Sequence, residues 1–176
     1  MIRMGQGQEM EMAASETEVE AALRRIFPIY EHAGLTVESV RDGIYRVRIP
    51  LNRENGNHLN TVHAALQWAA AEVLGGLVVM AVFGLEQLDK MYGAVQSVSI
   101  DFQRPARSAI VAEALFDERE ARRIEQMMGD GQDATFHLHA VVRDEGGATV
   151  AVTEAVYVVR PLRPAKADVR LGRAGM

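Results

Sequence analysis

Thr61–Phe83, TVHAALQWAAAEVLGGLVVMAVF, is the stretch on which the fold turns. Apolar residues recur on every side of a helix drawn over it, alanine stands at 64, 65, 69, 70 and 71, and the one acid is Glu72. A helix without a polar face belongs inside a protein or between subunits. Its uncharged part, Val73 to Leu85, falls short of the roughly 20 residues a membrane span needs, and Glu72 and Glu86 bound it on either side. The reading is a helix buried in a domain rather than a span.

The segments around it alternate as strands do. Ile44–Leu51 sets Tyr45, Val47, Ile49 and Leu51 against Arg46 and Arg48, and Asp42-Gly43 joins it to Leu35–Val40, which predicts a hairpin with one wet face. Beyond the helix, a loop at Leu88 to Gly93 leads to Val95–Phe102, where Val98, Ile100 and Phe102 alternate with Ser97, Ser99 and Asp101. Pro105 and Arg107 are expected to turn the chain so that Ile110–Phe116 pairs with that strand. Thr135–Arg143 and Thr149–Val159, joined by Asp144-Glu145-Gly146-Gly147, predict a further hairpin. Ser15 and Glu18 form a capping box for a helix carrying Val19, Leu23 and Phe27, which Pro28 ends. A surface helix follows Asp117, with Ala121, Ile124, Met127 and Met128 at helical spacing and Gly129 as terminator. Six strands in three hairpins and one apolar helix inserted after the second strand predict an α+β domain, a curved antiparallel sheet wrapped around that helix. Residues 1–14 read as a mobile arm, 15–160 as a single domain and 161–176 as a C-terminal tail.

Composition narrows the function. The chain has 176 residues, 48% of them apolar, enough for one domain with a real core. Nineteen Lys and Arg against 24 Asp and Glu give a net charge of −5 with no basic block, which argues against nucleic acid or a membrane surface as partner. There is no cysteine, so thiol nucleophiles, disulfides and cysteine-ligated metals are excluded. The N-terminal residues resemble neither a signal nor a transit peptide, so the expected location is cytoplasmic. Phosphate-binding glycine loops, a GxSxG elbow and an HExxH pair are all missing. His137 and His139 share one strand face without a neighbouring acidic cluster, so no metal and no other cofactor is expected.

The chemistry concentrates in Asn57-His58-Leu59-Asn60-Thr61-Val62-His63-Ala64-Ala65, followed nine residues after His63 by Glu72. A polar loop entering a helix leaves the N–H groups around His63 to Ala65 free and aimed outward with the positive end of the helix dipole, a place suited to a carbonyl oxygen on which charge develops. Asn57 and Asn60 equally suit turns or a helix cap. A lone carboxylate on an apolar helix is expensive to bury, so Glu72 is either a reactive acid, a partly exposed position or the partner of an arginine from the sheet. Nine residues at about 100° each put His63 and Glu72 on opposite sides of the helix and about 13 Å apart along it. One subunit cannot join them, whereas a two-fold dimer with antiparallel central helices can, so a homo-oligomer is expected.

This arrangement resembles the hotdog-fold acyl-CoA thioesterases of the phenylacetate-pathway type. In those, an N-x-x-G-T-x-H-G-G run precedes an acidic residue on a long central helix, after a hairpin and before a strand ending in -RPA-, here Phe102-Gln103-Arg104-Pro105-Ala106. The similarity extends over most of residues 20 to 160. It implies a hydrolase for acyl-CoA or a related acyl thioester, with a site between subunits. Glu72 would be general base or nucleophile, Asn57 would position water or thioester, and the Ala64 and Ala65 N–H groups behind His63 would polarise the carbonyl. Asn60 falls within the same binding loop, and Arg104 and Arg107 are candidates for the CoA phosphates. Three family glycines are replaced here, by Asn60, Ala64 and Ala65. The replacements leave a non-catalytic acyl-thioester-binding module, or a structural dimer, as alternative readings.

Overall fold

The computed structural model of the chain describes residues 14–162, so nearly all of the expected arm and of the expected tail lies outside the described residues. Helix α1 (Glu16–Ile26) opens on the expected capping box, the Glu18 N–H donating to Ser15 Oγ and the Ser15 N–H to Glu18 Oε2. It buries Val19, Ala22 and Leu23. Pro28 ends α1 but also starts something: it is the first residue of a short helix α2 (Pro28–His32), where its missing N–H costs nothing and its fixed φ suits a first turn. The one side chain α2 buries is Tyr30.

Strands β1 (Thr36–Arg41) and β2 (Ile44–Ile49) form the predicted hairpin, with Asp42 and Gly43 both at positive φ as a tight two-residue turn requires. The long helix α3 (Ala64–Phe83) starts three residues later than the pattern suggests, because Asn60 at φ +54° and Thr61 belong to the entry loop and His63 is the cap. A 3-10 turn (Leu85–Lys90) stands where a loop was expected and feeds β3 (Met91–Phe102), which begins four residues earlier than its alternation shows. Strand β4 (Ile110–Leu115), helix α4 (Glu118–Gly129), β5 (Ala134–Asp144) and β6 (Thr149–Pro161) complete the domain, and β5 and β6 pair as the expected hairpin.

The six-stranded antiparallel sheet has the order β1-β2-β4-β5-β6-β3. The expected β3–β4 hairpin is therefore wrong. β3 pairs with β6, and β4 lies between β2 and β5. The connecting segment does not turn back. The Gln103 and Arg104 N–H groups donate to the Val150 carbonyl, and the buried Ala106 accepts from the Val62 N–H, so Gln103–Ala109 carries the chain across the end of the sheet, over the entry to α3.

The sheet curls around α3, whose inward face buries Ala70, Ala71, Val73, Leu74, Leu77 and Val78. By length and composition α3 could cross a membrane, but 56% of its most apolar window is buried within this domain, as expected of a core helix. The helix is not covered all round. Ala64, Ala65 and Trp68 are exposed and Ala69, Glu72 and Gly76 half-buried, forming one stripe, and β3 is an edge strand whose only partner among the described residues is β6.

Candidate active site

Glu72 sits near the middle of α3, half-buried, on that stripe. No arginine of the described sheet reaches it. Its partner is Tyr30, whose hydroxyl donates to Glu72 Oε2 at 2.6 Å from an element 42 residues away in sequence. A second phenol, Tyr157 on β6, donates to the backbone carbonyl of Glu72 at 2.8 Å. Burial, followed by the nearby Glu72 charge, pushes both phenols well above the ordinary tyrosine range. Both therefore stay protonated and act as donors.

The reason Tyr157 can lie this close is Gly75. A Cβ there would overlap the tyrosine ring, which also stacks on Phe136 with centroids 5.1 Å apart. Gly76 has a different role, since a Cβ on it would meet nothing within 4 Å. It borders a cavity of about 280 Å³ that runs from Glu72 between α1, α3 and β3, lined by Leu23, Phe27, Val79, Met80, Met91 and Val95 among others. Among the described residues Glu72 is the only charged one in its wall. An apolar cavity whose described wall holds one carboxylate and three phenols, those of Tyr30, Tyr92 and Tyr157, fits an apolar ligand joined to a polar reacting group.

The other expected site residues gather at the start of α3. Asn57 Oδ1 accepts from the N–H groups of Leu59 (2.9 Å) and Thr61 (3.2 Å), and its Nδ2 bonds Thr61 Oγ1, so its amide holds the entry loop in shape. Asn60 is exposed, in the left-handed conformation that closes this turn. His63 caps α3 with its ring, Nδ1 accepting from the Ala65 N–H at 3.1 Å. The expectation of free N–H groups from His63 to Ala65 thus needs correction: that of His63 donates to the Asn55 carbonyl, that of Ala65 is taken by the His63 ring, and that of Ala64 has no protein partner among the described residues. His63, Ala64 and Ala65 do not border the cavity at Glu72, and Ala65 lies about 10 Å from Glu72 along the helix axis. A single chain does not bring the two halves together. Arg104 and Arg107 are exposed in the β3–β4 connection and also stand apart from the cavity. His137 and His139 share an exposed sheet face as expected, with His139 bonded to Glu154 at 2.7 Å. Among the described residues no group of three or more potential ligands could hold a metal.

Three contributors escaped the sequence reading: Tyr30, Tyr157 and Asn55. Asn55 is buried, its Nδ2 donating to the carbonyls of Ala33 and Pro50 and its own carbonyl accepting from the His63 N–H, which ties the end of α2 to the start of α3. Adjacent glycines in a helix interior cost about 1 kcal/mol each against alanine, so Gly75-Gly76 is a signal that space is needed beside the helix, taken by the Tyr157 ring at Gly75 and left to the cavity at Gly76. Nothing local points to Tyr30 or Asn55.

A family model described as a domain of unknown function (DUF4442) matches residues 16–159. No curated protein matches the chain. Among solved structures, a Pseudomonas aeruginosa protein of unknown function, termed a probable thioesterase, is 26% identical with a TM-score of 0.74, covering 86% of this chain and 99% of its own. A Haemophilus influenzae thioesterase has a TM-score of 0.68 at 14% identity, covering 88% of this chain and 96% of its own. A mutant thioesterase of Pseudomonas aeruginosa has 0.67 at 15%, covering 86% and 98%. The long helix within a six-stranded antiparallel sheet is the architecture of these structures, the hotdog fold.

Proposed function

Taking as premise that the chain belongs to the DUF4442 family and has the hotdog fold of thioesterase structures, we propose that it hydrolyses acyl-CoA or related acyl thioesters, with Glu72 as the reactive carboxylate. The observation that carries this reading is the apolar cavity whose one charged wall residue, among the described residues, is Glu72. An interaction dimer has no use for such a cavity. An acyl chain fills it, and the thioester then stands at the carboxylate. The run from Asn57 to Ala65 with Glu72 brings the proposal nearest to the phenylacetate-pathway type.

As general base, Glu72 takes a proton from water while the water oxygen bonds to the thioester carbon. Negative charge moves onto the carbonyl oxygen. It returns as the C–S bond breaks, and the departing thiolate takes the proton back from Glu72, leaving a carboxylic acid and a thiol. The oxyanion is met by the start of α3 from a second copy of the chain, where the Ala64 N–H is the open donor; one such donor is worth about 3 kcal/mol. Two observations support a second copy: the stripe of Ala64, Ala65, Trp68 and Ala69 left open on an apolar helix, and the edge of β3 that pairs with no strand among the described residues.

The test is a panel of acyl-CoA substrates with detection of released thiol. Turnover of at least one, with aliphatic acyl groups favoured over CoA esters of charged acids, supports the reading. Tight binding of an acyl-CoA without turnover supports instead the binding module suggested by alanines at 64 and 65.

A further inference from the structure

We propose that Tyr30 is a positioning residue for this reaction: its phenol holds Glu72 Oε2 and leaves Oε1 as the oxygen that exchanges the proton with water and thiolate. The inference rests on the reading of Glu72 as the reactive carboxylate. It begins from an otherwise unexplained element. Helix α2 interrupts the path from α1 to β1, contributes Tyr30 as its one buried side chain, and leaves Ile29 exposed. What α2 delivers to the interior is one phenol.

That phenol is anchored on several sides. The Tyr30 N–H donates to the Phe27 carbonyl, its own carbonyl accepts from the Leu35 N–H, and its ring meets Phe27 edge-on with centroids 5.8 Å apart. The Asn55 amide holds the carbonyl of Ala33 one residue beyond the end of α2. Glu72 has no such support of its own: its side chain has three rotatable bonds, lies at the edge of an open cavity and meets no cation among the described residues. The hydroxyl, 2.6 Å from Oε2, is the one hydrogen bond the carboxylate receives among the described residues. A donor to an ionised oxygen is about twice as strong as one between neutral groups, and it selects one rotamer. With Oε2 occupied, Oε1 is the oxygen open to a water at the thioester. Tyr30 exchanges no proton in this scheme, because burial and the Glu72 charge keep it protonated.

The closing experiment measures kcat, KM and the pH dependence of kcat/KM for wild type, Tyr30→Phe and Glu72→Gln on the best acyl-CoA substrate. Tyr30→Phe keeps the ring and its packing. It should lower kcat on the order of tenfold, the worth of one charge-assisted hydrogen bond, with KM within about twofold. Losing a donor to the carboxylate favours its protonated form, so the acidic limb of the profile should move to higher pH. A purely structural phenol would not move that limb. Site-specific 3-fluorotyrosine at position 30, a stronger donor with the ring retained, should move it to lower pH and decides the matter if Tyr30→Phe folds poorly. If Glu72→Gln is inactive while both Tyr30 substitutions keep the wild-type kcat and profile, the positioning role is wrong and the assignment of Glu72 stands. If Glu72→Gln turns over at the wild-type rate, the assignment of Glu72 falls and the role of Tyr30 falls with it.

Discussion

Replacing Asn55 with alanine should damage the protein well out of proportion to the atoms removed. The residue is 1% exposed, and its Nδ2 donates to the Ala33 carbonyl at 2.8 Å and the Pro50 carbonyl at 2.9 Å. Truncation removes both bonds and leaves two carbonyl oxygens without that donor, the Ala33 bond being buried and the Pro50 bond part-buried. Each lost bond with its orphaned partner costs between about 1 and 2 kcal/mol, so the change should destabilise by about 3 kcal/mol, against a total of about 10 kcal/mol for an ordinary domain. The assay is equilibrium urea unfolding followed by far-UV circular dichroism, at one fixed chain concentration so that subunit dissociation contributes equally to both proteins. With an m-value of about 2 kcal/mol per molar, the midpoint should fall by about 1.5 M at unchanged m. Because Ala33 ends the element that carries Tyr30, kcat should fall as well. A midpoint within about 0.3 M of wild type would refute the claim that Asn55 ties α2 to α3, since a shift that small is under about 1 kcal/mol.

Other outcomes follow from the same geometry. Gly76→Leu projects a side chain into the cavity space that the missing Cβ leaves open. It should cut turnover of long-chain acyl-CoA by about tenfold or more while sparing short-chain substrates, because overpacking a filled site costs about 1–3 kcal/mol; equal losses on both would place the acyl group elsewhere. Sedimentation at micromolar concentration should show at least a dimer, and a lone 19.4 kDa species would contradict the two-copy site. Activity should survive EDTA, and a loss restored by zinc or iron would mean His137 and His139 had been misread as surface residues.

How much of this could be read from the chain depends on the range of the interactions involved. The α1 capping box, the Asp42-Gly43 turn, the β5–β6 hairpin and the apolar run of α3 rest on neighbours in sequence, and each stands in the structure. The β3–β4 connection was misread because Pro105 and Arg107 resemble a turn locally, whereas the partner of β3 is chosen by contacts with β6 across the sheet. Glu72 stood out as a charge on an apolar helix, but its partner could not be read, since Tyr30 becomes significant only when α2 is folded against α3. Among the polar residues of Asn52–Asn60, alternation and spacing gave no reason to single out Asn55 as the one that goes inside. The split between the start of α3 and Glu72 was readable from helix geometry alone.

The decisive measurement is hydrolysis of the best acyl-CoA substrate by Glu72→Gln beside wild type. The amide keeps the size of the side chain and can still accept from Tyr30, so fold and oligomeric state should be unchanged. The proton acceptor is lost, and kcat should drop on the order of 100-fold or more. A wild-type rate from Glu72→Gln would contradict the assignment and require the chemistry to be placed on other residues.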